Sequence, residues 1–167
     1  MKATKIFISI ILWGLIIQPL SAQESILKEE IESKRDKKFA LYPSTLRMVN
    51  LQQNEDYNQL VSGVEKLLIY TLDSATQANK SYTSISAKYL EAGFDEYASI
   101  FGGDMTLSIL GKTSRNSDEY VGYFAQKNGV FAFYLKGQIP WQKIPTLINN
   151  IQDLDVINFF DVKTYKF

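Results

Sequence analysis

The stretch YVGYFAQKNGVFAFYLKGQI, Tyr120–Ile139, decides the fold. Asn128-Gly129 interrupts two runs of alternating aromatic and aliphatic residues, and it supplies the two positive-φ residues that a two-residue type I′ turn requires. The stretch therefore predicts a β-hairpin. Counting outward from that turn sets Phe124 opposite Phe133, Tyr123 opposite Tyr134 and Gly122 opposite Leu135. Because side chains alternate between the two faces of a strand, Phe124, Phe131, Phe133 and Leu135 gather on one face, expected to be the core. The opposite face carries Val121, Tyr123, Ala125, Ala132, Tyr134 and Lys136, an amphipathic mixture that either packs under a helix or meets a partner.

Upstream of the hairpin the period-two pattern continues. Phe94–Phe101 and Met105–Lys112 read as two strands joined at Gly102-Gly103-Asp104, so the hairpin completes a four-strand antiparallel meander. Before it, Ser81–Ala92 places Tyr82, Ile85 and Tyr89 at helical spacing and ends at Gly93. Val64–Leu72, with its continuous apolar centre Leu67-Leu68-Ile69-Tyr70, reads as a strand covered on both sides, and Asp73–Asn79 as a polar connector. Two short helices are expected between Pro43 and Ser62, the second capped by Gly63, and a first strand at Phe39–Tyr42. After the meander, Trp141–Ile151 turns Ile144, Leu147, Ile148 and Ile151 inward as a last helix. The succession predicts an α+β domain, a mostly antiparallel sheet with a C-terminal four-strand meander and helices packed on one face.

Lys2 and Lys5 precede a twelve-residue, largely apolar run from Ile6 to Ile17, followed by Gln18-Pro19 and then Ser21-Ala22. This has the layout of an export signal and is shorter than the roughly 20 residues that span a bilayer. Residues 1–22 are thus expected to be a signal peptide, 23–38 a charged segment, 39–151 the single α+β domain, and 152–167 an extension in which Val156–Val162 is a candidate edge strand. No transmembrane segment is expected in the mature chain, whose destination would be the periplasm, the cell surface or the exterior.

The chain has neither cysteine nor histidine. No disulfide framework or thiol nucleophile is available, and the commonest general base and metal ligand is missing. Setting aside Lys2 and Lys5 leaves 16 basic against 18 acidic residues. A net charge of about −2 without a basic stripe makes nucleic acid a poor partner. No cofactor is expected.

Several groups invite a chemical reading, each with a plainer one beside it. Asp104, Asp118 and Glu119 lie near strand ends and would suit calcium if they converged, yet turns favour aspartate anyway. Asp153, Asp155 and Asp161 lack the spacing of a calcium loop and read as solvated charges. Ser84, Ser86 and Lys88 would form a Ser-Lys dyad only if nucleophile and base met. Gly102-Gly103 leads into a strand, not a helix N-terminus, so it is no phosphate cradle.

Leu67-Leu68-Ile69-Tyr70-Thr71, then Gly93-Phe94-Asp95-Glu96-Tyr97, then Leu135-Lys136-Gly137-Gln138-Ile139 ahead of the last helix resemble a bacterial envelope family, domain of unknown function 4252, typical of Bacteroidetes. The resemblance covers about Phe39–Ile151. It implies export and an α+β fold and transfers no catalytic residue. The residues themselves point to a non-enzymatic binding or protein-interaction domain whose candidate surface is Val121, Tyr123, Tyr134 and Lys136, facing an envelope protein or a glycan. Free sheet edges offer a second surface by strand addition. The competing expectation is a carboxylate- or metal-dependent hydrolase of envelope polymers, which demands paired acidic side chains in a concave pocket.

Overall fold

Among the described residues, six strands form one antiparallel sheet in the order β1-β2-β6-β5-β4-β3. They are β1 (Arg35–Leu41), β2 (Val64–Leu72), β3 (Asp95–Gly102), β4 (Met105–Lys112), β5 (Asp118–Gln126) and β6 (Gly129–Gly137). The computed structural model describes residues 22–48, 50, 53–102, 105–126 and 129–153. Strands β3 to β6 are the expected meander, and β2 enters beside β6, which makes β1 and β3 the two outer strands.

The hairpin forms with the expected faces but a different register. Gln126 pairs with Gly129, so Val121 lies opposite Tyr134, Tyr123 opposite Ala132, and Gly122 opposite Phe133. The expected Tyr123–Tyr134 pair is corrected by two positions. Because a slip of two preserves the pleat, Phe124, Phe133 and Leu135 still face one core and Val121, Tyr123 and Tyr134 the other. Lys127 and Asn128, on which the type I′ assignment rests in part, lie outside the described residues.

Helices cover both faces, not one. On the first face, α2 (Pro43–Met48), α3 (Glu55–Ser62) and α6 (Ile144–Asp153) bring Leu46, Val61, Ile144, Leu147 and Ile151 onto Leu67, Ile69, Ile109, Phe124 and Phe133. On the second, α1 (Ala22–Ile31) and α5 (Ser84–Glu91) bring Leu27, Ile31, Ile85 and Tyr89 onto Leu68, Tyr70, Val121 and Tyr134. A strand such as β2, buried on both sides, is what its unbroken apolar centre requires.

Residues 23–38, expected to precede the domain, instead supply α1 and the start of β1. The apolar stripe of α1 is narrow, and Leu27 and Ile31 are nonetheless fully buried. Two ion pairs reach from its polar flank to other elements, Glu24 to Lys66 on β2 at 2.6 Å and Glu30 to Lys88 on α5.

The connector after β2 is also more ordered than a turn. It is the short helix α4 (Ser74–Asn79), capped by Asp73, whose carboxylate accepts the Thr76 N–H at 2.7 Å. That bond holds the Asp73 carboxyl below its usual range. Asp73→Ala is expected to lower the urea midpoint with an unchanged slope; an unchanged midpoint contradicts the cap.

Candidate binding surfaces

The tyrosine face of β5 and β6 is sealed. Val121, Tyr123 and Tyr134 are 0%, 1% and 4% exposed, roofed by α1 and α5. The Tyr123 ring meets Tyr82 edge-on at 4.9 Å. Tyr134 donates its hydroxyl to the buried Glu119 carboxylate at 2.9 Å. Lys136, half-buried, turns to Glu65 at 3.7 Å. The four residues therefore do not compose an open surface. Replacing Tyr123 and Tyr134 by alanine would perturb the second core instead of testing a contact.

Burial leaves a mark on these phenols. Tyr57, Tyr70 and Tyr120 are pushed up to about 12 chiefly by desolvation, and Tyr89, Tyr123 and Tyr134 are raised by the same cause, with the Glu119 charge adding to Tyr134. A group whose folded pKa exceeds its unfolded value stabilises the fold below the unfolded pKa and loses that contribution as pH climbs through the folded one. Stability is therefore expected to be unaffected by these groups below pH 10 and to fall steeply between pH 10 and about 12. Tyrosinate absorbance should appear together with loss of near-ultraviolet circular dichroism. Titration of all ten tyrosines near pH 10 with the fold intact would contradict the burial.

Among the described residues the candidate chemical groups do not assemble. Asp118 and Glu119 are adjacent on one strand and point to opposite faces; Asp118 accepts from the Tyr120 hydroxyl at 3.5 Å and Glu119 from Tyr134. Asp104, Asp155 and Asp161 lie outside the described residues, as does the Asp153 side chain. Among the described residues no three acidic side chains converge as a metal site would need. Ser86 sits 3.0 Å from the Ser108 hydroxyl, while Lys88 is held by Glu30 and Ser84 donates to the Ser81 carbonyl at 2.8 Å, so no Ser-Lys dyad forms. A cleft of about 530 Å³ lies where α3 meets the turn after β6, and its one carboxylate, Asp56, shares it with Lys143. That is not the carboxylate pair a hydrolase of this kind needs.

Among the described residues no strand pairs with the outer side of β3. β3 is the outermost strand on its side, and its register with β4 slips at Glu96/Ala98, leaving Ala98–Gly102 regularly paired on the inner side. Ile100 is 44% and Phe101 68% exposed. Ile100 pairs with Leu107 of the first core and so belongs to the face of α6; Phe101 pairs with Thr106 and belongs to the other face. Asp95 and Glu96, both exposed, mark the opposite end of the strand. The outer strand β1 differs. It begins Arg35-Asp36-Lys37-Lys38, with Arg35 and Lys38 paired to Glu32, the kind of charged run that deters pairing at an edge. Of the other large exposed apolar side chains among the described residues, Tyr42 follows directly on the end of β1, and Met48 and Leu90 lie on α2 and α5.

Edge binding was legible in the sequence only as a possibility of the fold class. Ile100 and Phe101 were readable as strand residues, but nothing local states that their strand is outermost; that depends on β2 joining β6 on the far side of the meander. Among the described residues no helix is long and apolar enough to cross a membrane.

A family model described as Domain of unknown function (DUF4252) matches residues 32–147, from just before β1 into α6. No curated protein and no solved structure matches the chain.

Proposed function

The chain belongs to the DUF4252 family, and from that premise we propose that it is an exported, non-enzymatic interaction domain of a bacterial envelope, of the Bacteroidetes kind, which binds an extended segment of another envelope protein along β3. The observation that carries this reading is the open outer side of β3 with Ile100 and Phe101 exposed on its two faces. Strand addition uses both features. Backbone hydrogen bonds supply affinity, and alternate side chains supply specificity. A protein partner suits this site better than a glycan, since the tyrosine rings that would stack on sugar lie inside the second core. Export is supported by the arrangement of Lys2, Lys5 and the apolar run Ile6–Ile17 ahead of α1. The absence of histidine and the lone carboxylate of the cleft favour contact over turnover.

The test is a photo-reactive phenylalanine analogue in place of Phe101, with the same analogue in place of Met48, which is 76% exposed and off the edge. In cells that make the protein, position 101 should cross-link to one discrete envelope protein and position 48 should not. Cross-links from position 48 alone, or none from 101, would overturn the proposal.

A further inference from the structure

We propose that the cleft between α3 and the turn after β6 is a second binding site, for a dipeptide with both ends free, whose ammonium meets Asp56 and whose carboxylate meets Lys143. The described residues that line it include none from β1 or β3, so it stands whether or not β3 takes up a strand. The candidate strand Val156–Val162 lies outside the described residues.

The two walls follow from local structure. Asp56, Gln59, Leu60 and the capping Gly63 recur at intervals of three and four and so share one side of α3, while Tyr57 and Val61 on the neighbouring side enter the first core. The facing wall is Gln138-Ile139-Pro140, continued by Lys143 in the 3-10 turn that precedes α6. At the floor the walls touch. The Gln138 N–H donates to the Gly63 carbonyl at 2.8 Å, and a Cβ at Gly63 would stand 2.3 Å from the Gln138 carbonyl oxygen. Backbone there lies directly on backbone, so the walls are fixed to one another before any ligand arrives, which spares the cost of ordering them. Half-buried Leu60 and buried Ile139 add an apolar lining.

The charges select the ligand. Neither Asp56 nor Lys143 makes an ion pair with the other or with any further group among the described residues. Their neighbours are already engaged: Ser62 donates its hydroxyl to the Gln59 carbonyl at 2.8 Å, and the Gln138 side chain donates to the Asn116 carbonyl at 3.0 Å. The groups left to turn toward a ligand are a carboxylate that only accepts, an ammonium that only donates, and the Gln59 amide between the two kinds. An anion would be repelled by Asp56 and a cation by Lys143. A molecule carrying both charges satisfies both walls at once. The carboxylate and the ammonium stand on separate walls, which a dipeptide spans better than an amino acid whose charges share one carbon. The cleft, at about 530 Å³, has the size of an ordinary small-molecule site, and its apolar lining receives one side chain.

The test titrates the protein isolated from the cells that make it with glycyl-leucine, its N-acetylated form, its C-terminal amide and free leucine, followed through the backbone amide resonances. Glycyl-leucine should shift Asp56, Gln59, Gly63 and Lys143, with half-saturation at roughly 1 mM, and each of the other three probes should bind at least about tenfold more weakly. Asp56→Asn should bind the acetylated and free dipeptides alike, and Lys143→Gln the amidated and free ones alike. Both side chains are exposed, so these variants keep the fold, which unshifted resonances elsewhere in the spectrum verify. The Ile100→Lys/Phe101→Lys variant should bind glycyl-leucine as the unaltered chain does, which separates this site from the β3 edge. Absence of shifts at roughly 20 mM, shifts outside the cleft, equal binding of free and blocked dipeptides, or full discrimination retained by either charge variant would overturn the proposal.

Discussion

Gly122→Ala is expected to cost about 3 kcal/mol or more, a large part of the stability of a domain this size. A Cβ at Gly122 would stand 1.9 Å from the Ser108 carbonyl oxygen and 3.1 Å from the Phe133 ring. The obstacle is the backbone of β4, not the end of a flexible side chain. Only parting β4 from β5 relieves it, and those strands carry Leu107, Ile109 and Phe124 of one core and Val121 and Tyr123 of the other. Urea unfolding and near-ultraviolet circular dichroism read the loss. A variant with the wild-type midpoint would contradict the pairing of Ile109 with Gly122.

Replacing both exposed apolar residues of β3, Ile100→Lys/Phe101→Lys, is expected to weaken partner binding roughly 100-fold or more while changing stability by only about 0.5 kcal/mol. Phe101 stands largely in water and Ile100 is about half exposed, and neither belongs to the two buried cores. At an edge, lysine keeps the backbone and opposes the approach of another strand. The two readouts separate function from folding: affinity is measured by titration with the cross-linked partner once purified, stability by urea midpoint. Unchanged affinity would remove β3 as the contact. A collapse in stability would mean that Ile100 and Phe101 belong to the core.

The sequence disclosed the class of this fold and the composition of its faces because those depend on period and parity. Phe124, Phe133 and Leu135 were separable from Val121, Tyr123 and Tyr134 whatever the register, since the error made at Asn128-Gly129 was even. The pairing itself was not legible, because Gln126 and Gly129 close the hairpin one residue nearer its strands at the first side. Gly122 was set opposite Leu135; its need for smallness comes from Ser108 on the neighbouring strand.

The cover over the second face was harder to see. Ser25–Ile31 carries only Ile26, Leu27 and Ile31 among charges, a stripe too thin to distinguish a docked helix from a solvated one. What docks it is partly long-range: Glu24 finds Lys66 and Glu30 finds Lys88, pairs whose separation in sequence carries no signal. The same holds for the candidate site. That tyrosines face one side is a local fact; that α1 and α5 close over them, and that β3 is left outermost, are facts of the assembled sheet.

On the proposed function, β3 lends its outer edge to a strand of another protein. The most direct measurement is amide exchange across the whole chain, alone and in complex with its purified partner. New protection is expected to concentrate in Tyr97–Phe101, with the second core unchanged. Protection gathered around Asp56 and Lys143, or across α1 with β3 still exchanging freely, would contradict it.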